Sequence, residues 1–274
     1  MERVGEHPVP VGPLAVRWIA YELGEQRAGV ATRARLRLEN AGSASWRSRG
    51  REGVQLGYHW LDPLGNAIMW DGTRTPFPDV VKPGEAVELE PTVVAPRPPG
   101  SYRLAFDLVE ELRYWFEELG SSTLDLPVEV RPRIDARRLA VRVHGAPDPD
   151  VDAALAAQAE PIVADDAVAV AHLVPGAIPA PDWSRLLLDA HAEGYGAVGG
   201  EIEAESRADR RRYAAWAPGG GRNPRFGEPL LLPSLLAGAE PETYEDLPAY
   251  AGSDALFDVR AVVRLRSRSG RRSD

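Results

Sequence analysis

Between Leu14 and Val130 apolar side chains recur at every second position, and turn residues break the pattern roughly every eight to twelve residues. From Val30 to Leu38 the alternation is clean: Ala34, Leu36 and Leu38 fall on one side, Arg33, Arg35 and Arg37 on the other. Successive side chains of a strand point to opposite faces, so this segment reads as a strand buried on one face. Asn40-Ala41-Gly42-Ser43 then supplies a turn. Val54, Leu56, Tyr58 and Trp60 form the next alternating set. Asp62-Pro63-Leu64-Gly65-Asn66 closes it, proline presetting φ and glycine permitting positive φ. Lys82-Pro83-Gly84-Glu85 turns into Val87, Leu89 and Val93, and Pro96 to Gly100 turns into Tyr102, Leu104, Phe106 and Leu108. Leu124, Leu126, Val128 and Val130 make a last strand.

Seven or so short strands in about 120 residues, with no helical stretch, predict an immunoglobulin-like β-sandwich over residues 10–132. Five tryptophans lie in this half: Trp18, Trp46, Trp60, Trp70 and Trp115. Trp18 and Trp60 are assigned to the core, since a buried indole removes much apolar area from water. Trp70 stands beside Asp71, Gly72 and Arg74, and Trp115 follows Glu110, Glu111 and Arg113. An indole flanked by carboxylate and guanidinium groups offers a flat face for sugar C–H stacking and a polar rim for hydroxyls. Structural packing is the competing assignment for both, and the favoured one.

After Arg131-Pro132-Arg133 the pattern changes. Arg138 to His144 reads as a strand, Pro149 to Glu160 as a helix capped by Asp148 or Asp150, and Ala167 to Leu173 as an apolar strand of small residues. Pro181 to His191 is an amphipathic helix, and Tyr195 to Ile202 another strand. Alternation of strand and helix predicts a small α/β domain with a mostly parallel sheet over residues 136–266. From about Glu203 to Tyr250 the chain is irregular, and Gly219-Gly220-Gly221 reads as a flexible loop rather than a phosphate loop.

The chain has 274 residues, room for two domains, and 44% hydrophobic with 27% charged residues places it among water-soluble globular proteins. No run approaches the roughly 18 residues of a membrane span, and Met1 to His7 lacks the layout of a secretory signal, so a cytoplasmic location is expected. There is no cysteine, which excludes disulfides, thiolate zinc sites and cysteine nucleophiles. A net charge of −9 argues against a general nucleic-acid binder, which needs a basic face. The exception is the C-terminus, where Arg260, Arg264, Arg266, Arg268, Arg271 and Arg272 crowd together. Residues 267–274 read as a solvated, disordered basic tail, with peripheral contact to anionic lipid heads as the alternative.

The strings Tyr58-His59-Trp60-Leu61-Asp62, Trp70 to Thr75, Pro83-Gly84-Glu85, Pro99-Gly100-Ser101-Tyr102, Asp107 to Glu111 and Trp115-Phe116 resemble a bacterial immunoglobulin-like accessory module. That module accompanies glycosyltransferases and methyltransferases that build surface polysaccharides. The resemblance implies a glycan or a protein of such an assembly system as partner, with His59, Trp70, Asp71, Arg74 and Trp115 as candidate ligand-binding residues.

Ile178 to Leu187, followed by Gly196 to Ile202, is similar to the central part of family 2 glycosyltransferases, whose fold is GT-A. Gly252 to Phe257 is similar to that family's acceptor-side segment, and Arg264 to Gly270 to the end of its catalytic helix region. In the family an Asp-x-Asp motif holds a divalent metal that clamps the nucleotide diphosphate of the donor, a task for hard oxygen ligands. Here His172-Leu173-Val174-Pro175-Gly176 stands in its place, and Val259 to Val263 replaces the Glu-Asp pair that supplies the base. The resemblance therefore implies a shortened, non-catalytic pseudoenzyme without cofactor. Its alternative is an active transferase that takes a divalent metal and a nucleotide-sugar through Asp165, Asp166 or Asp254.

Two further groupings carry little chemistry. Asp165-Asp166 reads as a turn between Val163 and Ala167, and His144, His172 and His191 lack metal-ligand spacing. Glu110-Glu111 and Glu117-Glu118 are sequence neighbours, which on a strand would point to opposite faces and make poor acid–base partners.

Overall fold

The computed structural model describes residues 1–143, 146–173, 176–204, 235–236 and 255–265. The chain divides into two compact units, Met1–Arg131 and Pro132–Asp274.

The strands of the first unit are β1 (Glu2–Arg3), β2 (Val16–Leu23), β3 (Gln26–Arg27), β4 (Ala31–Asn40), β5 (Ser48–Arg49), β6 (Glu52–Leu61), β7 (Ala67–Met69), β8 (Thr75–Pro76), β9 (Ala86–Leu89), β10 (Thr92–Val94), β11 (Gly100–Glu110), β12 (Tyr114–Trp115) and β13 (Leu124–Arg131). One sheet has the order β1-β2-β4-β10, with β9 also on β4; the other has the order β3-β13-β11-β6-β5, with β7 and β8 on β6 and β12 on β11. All pairings are antiparallel except β3 with β13.

Both sheets feed one core, the arrangement of a β-sandwich. Leu36 and Leu38 of β4 join Leu56, Tyr58 and Trp60 of β6 and Leu104, Phe106 and Leu108 of β11 in a single buried cluster. The polar tips of the two large β6 rings are satisfied inside it: the Val94 N–H donates to the Tyr58 hydroxyl at 3.0 Å, and Trp60 Nε1 donates to the Val94 carbonyl at 2.8 Å. β6 and β10 are thereby tied through side chains as well as through packing. On the outward face of β4, Arg35 lies among Glu22 (3.8 Å), Glu88 (3.6 Å) and Glu90 (3.3 Å), an exposed network worth little per pair.

The turn after β4 is held from within. Asn40 is fully buried; its Nδ2 donates to the carbonyls of Ala44 and Val81, both at 2.9 Å, and its Oδ1 accepts from the Gly42 N–H at 3.1 Å. No segment of this unit is an α-helix, and a single 3₁₀ turn, Glu117–Leu119, follows β12.

The second unit contains β14 (Leu139–Val143), α1 (Pro149–Ala156), β15 (Ala169–Leu173), β16 (Ala177–Pro179), α2 (Trp183–Ala192), β17 (Ala197–Ala204), β18 (Leu235–Leu236) and β19 (Ala255–Leu265). Asp148 caps α1 by accepting the Asp150 N–H at 3.0 Å, and Pro149 occupies the first helical position. The α1 helix ends four residues short of the predicted Glu160, at Ala156. In α2, Trp183, Leu186, Leu187, Ala190 and His191 are buried, and this face packs in one cluster with Leu139, Ala171, Leu173 and Val198.

Its sheet has the order β14-β15-β18-β17-β19-β16. The predicted mostly parallel sheet is corrected to a mixed one: β14 with β15 and β17 with β19 are parallel, whereas β18 runs antiparallel to both its neighbours and β16 antiparallel to β19. The sequence pattern missed β16 and β18 because strands this short show no periodicity. A second correction concerns Arg264 and Leu265, expected at the end of a helical region; both belong to β19. Among the described residues no helix is long and apolar enough to cross a membrane.

Replacing Asn40 with alanine deletes three hydrogen bonds at a buried turn. Denaturant unfolding should show a loss of about 2–4 kcal/mol from the first unit; an unchanged midpoint would refute the role given to Asn40.

Candidate functional site

The five residues singled out in the first half come together. They lie on the outer face of the second sheet, where β6 and β11 pair Gly57 with Asp107 and His59 with Ala105. A strand exposed on that face would carry polar residues at alternate positions. Here Gln55, His59, Ala105, Asp107 and Val109 are buried, so both faces of β6 are covered.

Two segments supply the cover. After β7 the chain runs back across the sheet through Trp70 to Arg74, anchored where the Gly72 N–H donates to the Tyr58 carbonyl at 2.9 Å. After β11 a strap carries Trp115 onto the outer face and Phe116 into the core, its backbone N–H donating to the Leu108 carbonyl at 2.8 Å. Glycine is required under both. A Cβ on Gly57 would lie 2.8 Å from Trp115 Cη2 and 3.1 Å from Arg74 Nη1, and one on Gly72 would lie 2.4 Å from the Tyr58 ring.

The aromatic rings are stacked in order. His59 lies against Trp70 with ring centroids 4.1 Å apart and 26° between planes, and Trp115 meets the imidazole edge-on at 4.2 Å. Trp70 and Trp115 are themselves 6.3 Å apart in a T arrangement. The Arg74 guanidinium covers the Trp115 ring with Cζ 4.5 Å from its centroid, a cation–π contact. The same guanidinium donates from Nε to Glu111 Oε1 at 2.5 Å, from Nη2 to Asp71 Oδ1 at 2.8 Å and from Nη1 to the Gly72 carbonyl at 3.0 Å.

Exposure separates the members. Trp70 is 45% exposed and the Asp71 side chain 71%, whereas Trp115 is 8% exposed and His59 is buried. Trp115 and His59 are thus the foundation of the cluster, and neither presents a free ring face to solvent. Of the two assignments weighed for Trp115, packing is the one its burial agrees with: the strap turns it onto the sheet and Arg74 covers it.

His59 Nδ1 faces the Trp70 carbonyl, which only accepts, so Nδ1 carries the proton and Nε2 is a bare lone pair. That Nε2 is buried and has no partner. Burial holds the imidazole below its ordinary pKa, against the opposing pull of the Trp70 carbonyl.

Asp107 was missed by the sequence reading. Burial pushes its carboxyl up to about 7, although Oδ2 accepts the Glu117 N–H at 3.1 Å and Oδ1 its neighbour Leu108 N–H at 2.7 Å; the Glu117 and Glu118 carboxylates push in the same direction as burial. A signal was present: Ala105 and Val109 flank Asp107 on one side of β11, an apolar setting that an open face would not need. Glu117 and Glu118 lie in the 3₁₀ turn rather than on a strand, and Glu118 Oε2 accepts the Trp115 N–H at 3.2 Å.

Among the described residues of the second unit the candidates do not converge on a metal site. Asp166 sits at φ 58° in a turn and pairs with Arg138 at 2.7 Å, and His191 is buried in α2 with Nδ1 2.8 Å from the Tyr195 carbonyl. Burial lowers His191 to about 4. His172 is on β15, while His144, Val174, Pro175, Asp254, the glycine run at 219–221 and the basic tail lie outside the described residues. Among the described residues no three His, Cys, Asp or Glu side chains gather as a metal site requires.

No known family matches the chain, and no curated protein matches it. Solved structures do. The C-terminal domain of Wzt aligns over 46% of this chain and 77% of its own at 13% identity and TM-score 0.32. The YjhA protein of Bacillus subtilis aligns over 47% of this chain and 99% of its own at 16% identity and TM-score 0.26. A family 123 glycoside hydrolase from Clostridium perfringens aligns over 43% of this chain and 25% of its own at 13% identity and TM-score 0.24. Similarity at this level carries no functional argument.

The two buried groups of unlike sign give opposite pH responses. Asp107 is protonated more readily folded than unfolded, so its contribution is present at pH 4 and is lost as pH rises to about 7. Asp107→Asn should therefore gain on the wild type across that window by an amount on the order of 4 kcal/mol, read from amide exchange in β6 and β11. His191 is neutral when folded, so exchange protection of the second unit should be full above pH 6.5 and fall as pH drops towards 4. Equal pH profiles for wild type and Asp107→Asn would refute the first assignment.

Proposed function

We propose that the protein is a non-catalytic accessory of bacterial surface-polysaccharide assembly, and that its first unit binds a glycan at Trp70. One observation carries this reading: a half-exposed indole is held rigid from below by stacked His59 and flanked by Asp71 and Arg74. A fixed aromatic face costs no ordering entropy when a sugar ring stacks on it, and the adjacent carboxylate accepts the hydroxyl protons of that sugar. The immunoglobulin-like module resembled by Tyr58 to Phe116 supports the same neighbourhood. A cytoplasmic location is part of this proposal, since a chain without cysteine suits a reducing compartment.

The second unit, read as a shortened GT-A-like domain, serves as a docking surface for a protein of the assembly system. Its support is chemical: at the end of β15 a buried leucine, Leu173, stands in the segment that should bear metal carboxylates. No divalent metal or nucleotide-sugar is needed in this role. Hydrolysis assays with UDP- and GDP-sugars should give no turnover; turnover abolished by Asp254→Ala would reverse the assignment.

Binding is tested with the full chain by affinity electrophoresis through gels containing polysaccharide. Trp70→Ala should lose roughly five- to a hundredfold in retention, taking the stacking of a sugar ring to be of the order found for bases on an aromatic face, about 1–3 kcal/mol. Retention equal to wild type would remove Trp70 from the site.

A further inference from the structure

We infer that the Trp70 site selects saccharides rich in hydroxyl donors and free of carboxylate, sulfate or phosphate. This rests on the glycan-binding reading above and adds the charge class of the ligand.

The argument starts from what the cluster still has to offer. Its cation is Arg74, and three of the five N–H groups of the guanidinium are committed, Nε to Glu111, Nη2 to Asp71 and Nη1 to the Gly72 carbonyl, with one face against Trp115. An anionic sugar is usually met by a guanidinium presenting two parallel N–H groups. Arg74 could do so only by redirecting N–H groups now held by Asp71 or the Gly72 carbonyl.

What remains unspent accepts hydrogen bonds. Asp71 is bound through Oδ1, and its side chain is 71% exposed beside the open indole. A carboxylate oxygen accepts and does not donate, so the complementary ligand must donate. Hydroxyl groups do; a uronate, sulfate or phosphate group supplies acceptors against acceptors.

Charge acts in the same direction. Two carboxylates, Asp71 and Glu111, face one guanidinium, and Glu117 and Glu118 follow on the strap beside Trp115. An anion seated on Trp70 would meet a like charge at Asp71 with no counter-ion released to it.

The test compares wild type, Trp70→Ala and Asp71→Asn, all as the full chain, in gels of dextran, galactomannan and β-glucan and in gels of alginate. Wild type should be retarded by at least one neutral polysaccharide and not by alginate, and Trp70→Ala should abolish that retardation. Asp71→Asn, which keeps an Oδ1 acceptor for Arg74 while removing the charge, should weaken neutral binding and raise alginate retention on the order of tenfold. Alginate preferred by wild type and lost with Trp70→Ala would overturn the charge class while leaving glycan binding intact. So would Asp71→Asn with an unchanged preference. If wild type is retained by no polysaccharide, the glycan-binding reading falls and this inference with it.

Discussion

The site exists because β6 is buried on both faces. Leu56, Tyr58 and Trp60 enter the core of the first unit, and the alternate positions Gln55, Gly57 and His59 lie beneath an outer layer. A strand's two faces are fixed by its pleat, so anchoring the core side fixes the direction of His59 without further help. The Val94 hydrogen bonds to Tyr58 and Trp60 set that register from the core. Turning His59 to the other face would require β6 to slip by a residue. Such a slip would bring the entire apolar set to the wrong face. The placement of the imidazole on which Trp70 stacks is therefore inherited from the core.

The outer layer adds its own constraints, and they are electrostatic. Asp107 is buried under the strap with two backbone N–H donors and no cation in contact, and its proton affinity rises accordingly. That is an expensive group for a β-sheet to retain. Its Oδ2 holds the Glu117 N–H, and the strap held there also places Trp115 over Gly57. Arg74 completes the layer by bridging the two covering segments, joining Asp71 of one to Glu111 of the other across the Trp115 face. The arm to Glu111 is partly buried and stronger than an exposed pair, whereas the arm to the 71% exposed Asp71 side chain contributes little.

Much of the first unit was legible because its signal has period two. Ala34, Leu36 and Leu38 point inward as their spacing requires, and the turns at Asn40, Asp62 and Lys82 carry the residues those turns need. The clustering of His59, Trp70, Asp71, Arg74 and Trp115 was foreshadowed by the indoles and their charged neighbours, but their division into exposed and buried was not. Trp70 and Trp115 look alike in sequence; what separates them is which face of the sheet a non-periodic strap crosses. Asp107 left only the faint signal of apolar Ala105 and Val109 on either side of it, since burial of an outer face depends on segments distant in sequence. In the second unit the two helices and the longer early strands were readable, whereas strand direction was not. A two-residue strand such as β18 leaves no pattern, yet it sets the antiparallel pairings at the centre of the sheet.

A structural duty alone does not account for the side chain at position 70. Covering His59 takes one flat ring, and with centroids 4.1 Å apart the imidazole can shield no more than part of an indole's inner face. A phenyl ring would bury the same imidazole and leave less apolar area in water. Trp70 instead keeps 45% of its surface exposed while Trp46, Trp60 and Trp183 are fully buried. Exposed apolar area of this size is unfavourable by roughly 25 cal/mol per Å², unless something covers it. The indole also stands beside the exposed Asp71 carboxylate, an acceptor at its rim. A broad apolar face with acceptors at its edge matches the two-sided chemistry of a sugar ring, whose C–H groups lie on its faces and whose hydroxyls radiate from its edge.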